Sequence, residues 1–94
     1  MPVVPDREYG WTDAGKISAT KHGVTEREVV DALYSPQRIE HQVGDLLLAV
    51  AGLADSLRVI VVLCERVGAV NTWAIIAARP ASSDETKLWM EGTQ

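Results

Sequence analysis

Two short stretches of this 94-residue chain hold the side chains that could do chemistry. Lys21-His22-Gly23-Val24 closes one helical segment and opens another, and Ala78-Arg79-Pro80-Ala81, with Glu85 four residues on, sits where a long apolar run ends. An imidazole with an ordinary pKa of ~6.5 both takes and gives a proton near neutrality, so His22 is the best general base or acid. Its plainer alternative is a helix C-terminal His that only meets the helix dipole. Arg79 is the strongest phosphate clamp, because its planar fork suits bidentate contact; a salt bridge with Glu85 or Asp84 is the competing use. Glu85 is a general base or, in the reading favoured here, the group that orients Arg79. Lys21 and Arg58 add positive potential at the same rim, against the reading of Arg58 and Arg66 as merely solvated. His41, a lone His on a strand face, reads first as structural.

These groups need elements to hold them. Thr12 is a suitable N-cap for a helix from Asp13, with Lys16 and Lys21 toward its negative end and Gly23 as its left-handed exit. Thr25 and Glu28 form a capping box for the next helix, with Val24 and Val29 as a hydrophobic staple. Val29, Val30, Leu33 and Tyr34 give that helix one apolar face, and Pro36 ends it. From Arg38 the period changes to two: Ile39, His41 and Val43 alternate with Glu40, Gln42 and Gly44. A Gly44-Asp45 turn then leads into 45–51 as a hairpin. Residues 58–65 are nearly continuous in β-branched side chains, as in a central strand covered on both faces. Gly68 turns the chain into a further strand over 70–78, and Ser82 or Ser83 caps a last helix, 84–91, in which Leu88 and Trp89 pack inward. Val3-Val4 reads as a short edge strand closed by Pro5. The expected fold is α+β: two N-terminal helices, a three- to four-stranded antiparallel meander sheet and a C-terminal helix, in a single domain over 1–94.

Composition narrows the classes. Apolar residues are 47% and charged ones 23%, ordinary for a globular protein, and Phe is absent, so the core is mostly Val, Leu, Ile and Ala. A core this thin leaves an apolar patch for a partner or a second copy to cover. The formal charge of −4 is unlike that of most nucleic-acid binders, so any RNA contact must come from a local basic patch. Cys64, the single cysteine, lies in an apolar run and reads as a buried thiol in a reducing compartment. Residues 1–8 carry two prolines and two acids and no apolar h-region, so no signal peptide is expected. The runs 46–54 and 59–64 fall short of the ~18 residues of a membrane span. A cytoplasmic protein with no membrane contact is expected. One Cys, two His and no Gly-rich loop before a helix leave no zinc, P-loop or Ser-His-Asp pattern, so no metal and no cofactor are expected.

Trp11, Lys16, Lys21-His22-Gly23-Val24, then Ala78-Arg79-Pro80-Ala81, Glu85 and Trp89, in this order and spacing, resemble the BrnT group of bacterial toxins in the RelE superfamily. The likeness runs from about Tyr9 to Trp89. The chain departs from it in two ways: Pro80, Ser82, Ser83 and Asp84 stand where the family is usually basic, and Ser18 where Asn is common. The resemblance implies a small endoribonuclease that cuts mRNA without a metal and is neutralised by a cognate antitoxin. It implies His22, Arg79 and Glu85 as catalytic residues, and Lys16, Lys21 and Arg58 as contacts to the RNA. Such cleavage needs a base for the 2′-hydroxyl, a cation for the charged phosphorane and an acid for the leaving 5′-oxygen. For that, the Lys21–His22 and Arg79–Glu85 places must face each other across one edge of the sheet. The competing readings are a non-catalytic protein-interaction module that keeps the toxin fold, to which the acidic balance points, and a small-ligand or regulatory domain using the sheet face. A homodimer is a further candidate assembly.

Overall fold

Helix ends follow the local signals closely. A computed structural model describes residues 7–53, 58–68 and 71–92. Its elements are β1 (Glu8–Trp11), α1 (Asp13–Lys21), α2 (Glu26–Tyr34), β2 (Ile39–Val43), β3 (Leu46–Leu53), β4 (Arg58–Arg66), β5 (Thr72–Pro80) and α3 (Ser83–Gly92). The Thr12 hydroxyl accepts from the Gly15 N–H at the start of α1. Both bonds of the Thr25–Glu28 capping box form at the start of α2.

The strands make one sheet in the order β1-β5-β4-β3-β2. Strands β2 to β5 are the expected antiparallel meander, joined at β2–β3 by a two-residue turn in which Gly44 has φ 58°. The sheet is nevertheless five-stranded and mixed, because β1 pairs in parallel with β5. Tyr9 and Trp11 alternate with Glu8 and Gly10 as a half-buried strand beyond the expected meander, and the first helix begins at Asp13 after Thr12, as expected. The long stretch between β1 and β5, two helices and the rest of the meander, supplies the crossover that a parallel pairing needs. The strand expected at Val3-Val4 lies outside the described residues. Strand β4 is the middle of the five, as its continuous apolar run requires.

One face of the sheet carries α1 and α2. Val29, Ala32 and Leu33 of α2 and Ala19 of α1 bury against Ala49, Ala51, Ile60, Val62 and Ile75. The expected apolar face of α2 is only partly used: Val30 and Tyr34 point outward, at 41% and 60% exposure, because Val29, Ala32 and Leu33 already fill the stripe that meets the sheet. Tyr34 instead packs edge-on against Tyr9, with ring centroids 5.6 Å apart. Helix α1 lies so close to β5 that a Cβ on Gly15 would stand 2.1 Å from the Ile75 carbonyl oxygen. Cys64 is fully buried, and burial pushes its thiol up to about 12, so it is the inert core group expected.

Helix α3 packs on the other face. Gly52, which alternates with the buried Ala51 and Leu53, receives the Trp89 ring. The inward packing expected of Leu88 does not occur: it is 65% exposed, since Glu85, Trp89 and Gly92 form the stripe on the sheet. Among the described residues no helix is long and apolar enough to cross a membrane.

Candidate active site

The Lys21–Val24 turn is fixed from several sides. The N–H of Val24 bonds back to Ala19 and that of Gly23 to Thr20, the two bonds of a Schellman closure, with Gly23 at φ 70° as its left-handed residue. Arg58, at the start of β4, donates to the Gly23 carbonyl at 2.9 Å and to both Glu28 oxygens at 2.6 and 3.1 Å. Its guanidinium thus ties the turn to the capping box of α2. Lys16, Lys21 and His22 are all exposed.

His22 is held in one orientation. Its Nδ1 lies 2.8 Å from the Ser18 carbonyl oxygen. A carbonyl only accepts, so Nδ1 is the donor in this contact, which leaves Nε2 as the ring nitrogen that can serve as a base. Ser18 has a second task that no local spacing signals. Its hydroxyl accepts from the Ala78 N–H at 3.2 Å and donates to the Ala78 carbonyl at 3.3 Å. Thr12 likewise donates to the Ile75 carbonyl at 2.7 Å. Beyond Trp11, where β1 stops, α1 therefore takes over the open edge of β5, and this sets His22 beside the exit of that strand.

Arg79 leaves the same end of β5 on the opposite side. Its neighbour Ala78 is fully buried under the helices, so alternation turns Arg79 toward α3. There it meets Glu85 in a two-pronged pair at 2.6 and 2.7 Å. Glu85 also accepts from the Ser82 N–H at 2.8 Å while its own N–H donates to the Ser82 hydroxyl, so Ser82 and Glu85 form the capping box of α3. The Arg79 guanidinium, followed by burial acting against it and by the Ser82 amide, leaves the Glu85 carboxyl at about 2. Glu85 is thus a permanent anion that orients Arg79, and a poor base. Arg79 spends three N–H groups on Glu85 and the Pro80 carbonyl. Its Nε–H and one Nη2–H stay open to an anion.

The sequence-chosen residues thus fall into two pairs, Lys21–His22 and Arg79–Glu85, at one end of the sheet and on opposite sides of β5. His41 stands apart on the α3 side, exposed, in the wall of an apolar groove of about 550 Å³ between α3 and β2. A further charged cluster lies on the helix side. Arg7 and Arg38 both donate to Glu40, Arg38 at 3.1 Å, and Arg7 also reaches the Tyr9 hydroxyl at 3.4 Å. Burial works against the Glu40 charge, and the two guanidiniums outweigh it and hold its carboxyl below the usual range. Arg7 and Glu40 are 33 residues apart, so no local spacing could pair them. Among the described residues no three His, Cys, Asp or Glu side chains are placed to hold a metal ion.

No protein-family model matches the chain, and no curated protein matches it. Among solved structures it is similar to the ribonuclease toxin BrnT of Brucella abortus, at 21% identity and a TM-score of 0.58, over 83% of this chain and 100% of that one. The chain therefore has a fold like that of BrnT.

Proposed function

We propose that the chain is the toxin of a bacterial toxin–antitoxin pair, an endoribonuclease that cuts mRNA without a metal and is neutralised by a cognate antitoxin. The observation that carries this reading is the exposed His22, whose Nδ1 is tied to the Ser18 carbonyl and whose Nε2 is left for proton transfer. Nε2 takes the proton of a 2′-hydroxyl, the 2′-oxygen bonds to phosphorus as the bond to the 5′-oxygen breaks, and the leaving 5′-oxygen takes its proton from water. Lys21 and the two open N–H groups of Arg79 draw in the phosphate, and Glu85 keeps Arg79 aimed. Lys16 extends the positive potential along α1, and Arg58 keeps the turn rigid. The substrate backbone has to pass over the end of β5 to meet both pairs.

Induced expression of wild type and His22→Ala in a bacterial host tests this. Growth arrest with loss of intact mRNA in the wild type alone is expected; equal growth and intact mRNA in both would overturn it. The second reading, a non-catalytic module that keeps the fold, draws on the exposed apolar groups Val43, Leu46 and Leu88 outside the α3 contact.

A further inference from the structure

The α3 side of the sheet is only partly covered, and we propose that it docks an amphipathic helix of another protein whose apolar stripe is flanked by Lys and Arg. The groove between α3 and β2 has Leu48 and Val50 in its floor and Leu88 and Trp89 in its wall, with a volume of about 550 Å³. The register carries the apolar surface onward: Val43 pairs with Leu46, and they are 63% and 41% exposed. A helix laid beside α3 fills a cleft of helix and sheet in the ordinary layered manner. A strand added to the β2 edge would leave the cleft open.

Charge selects the occupant. Glu65 pairs with Leu46 on this face, and Asp84, Leu88 and Glu91 share one stripe of α3 by their four- and three-residue spacing. Glu65, Asp84 and Glu91 have no ion-pair partner among the described residues. Of the cations near this face among the described residues, Arg79 is paired with Glu85, so the two together add no net charge, and Lys87 is left. The rim is therefore net acidic. It attracts a basic flank and opposes a two-fold pairing of two copies through this face, since acid would meet acid. The occupant's role as neutraliser rests on the proposed function, while the docking itself is read without RNA.

The probe is a synthetic helical peptide of ~18 residues with Leu at i, i+3, i+4 and i+7 and Lys or Arg beside them, compared with the same peptide flanked by Glu. Calorimetry should show the basic peptide binding at least about ten-fold more tightly than the acidic one. Val43→Asp and Leu88→Asp should each weaken binding about ten-fold or more. Ile17→Asp, at a 67% exposed position on α1, should leave it unchanged, with circular dichroism verifying that each variant is folded. No binding, equal binding of the acidic peptide, or the same loss from Ile17→Asp would overturn the proposal. So would light scattering that shows dimers dissociated by Val43→Asp, which would make a second copy the occupant. If only the ribonuclease reading is wrong, peptide binding persists while RNA stays intact.

Discussion

On one side of the sheet, Val29, Ala32 and Leu33 are at most 1% exposed, and α1 comes within backbone contact of β5. On the other, no residue of α3 is fully buried, and the helix is held by the Trp89 ring on Gly52, the Trp89 N–H to the Gln37 carbonyl at 2.9 Å, and the Arg79–Glu85 pair. The first side is a closed core that sets geometry; the second is an open surface held by a few specific contacts. His22 hangs from the closed side and Arg79 opens from the other, so the candidate chemistry sits where the two meet, at the end of β5.

The sharpest way to break this contrast is to add one methyl group to each side. Gly15→Ala drives a Cβ into the Ile75 backbone, which cannot swing away, and should cost about 3 kcal/mol or more in urea unfolding. The next largest effect concerns the turn. Arg58→Met removes the cation facing Glu28 and the bond to Gly23 and should cost about 1–3 kcal/mol, with an unchanged denaturant slope. On the open side, Gly52→Ala meets only the far end of the Trp89 ring, at 2.4 Å. Helix α3 can move outward, so the cost should be below about 1 kcal/mol, with a clear change in tryptophan fluorescence.

The smallest effect is the pH dependence of the Arg79–Glu85 pair. The folded chain holds the Glu85 carboxyl at about 2, below the ordinary 4.5, so it binds that proton less readily than the unfolded chain does. The pair's contribution is therefore full above about pH 4.5 and fades as pH falls toward 2. Both groups are partly in water, which keeps it small. The stability difference between wild type and Glu85→Gln should shrink across that window; a difference that stays constant with pH would show that the ion pair adds nothing.

Much of the closed side is legible in the sequence, because its signals are local. Thr12, Gly23 and the Thr25–Glu28 box mark helix ends through bonds within a few residues, and the β-branched run of β4 marks a doubly covered strand. The competing salt bridge between Arg79 and Glu85 is also legible, since they stand six residues apart. What is not legible depends on distant partners. The parallel pairing of β1 with β5, the grip of Ser18 on Ala78 and the Arg7–Glu40–Arg38 cluster join residues 33 to more than 60 positions apart. Which side of β5 each candidate group takes follows from alternation around the buried Ala78, and is fixed only once the helices have chosen a face. Leu88 was misplaced for the same reason: the spacing of α3 permits two stripes, and Gly52, by making room for a ring, selects the one with Trp89.

The most direct measurement uses the purified protein on a short single-stranded RNA in the presence of a chelator, with the new ends identified by mass spectrometry. The account predicts a 2′,3′-cyclic phosphate or 3′-phosphate end. Cleavage should be slowed about 10²–10⁴-fold in His22→Ala and about 10²–10³-fold in Arg79→Ala. Intact RNA with the wild type, or full activity in both variants, would contradict it.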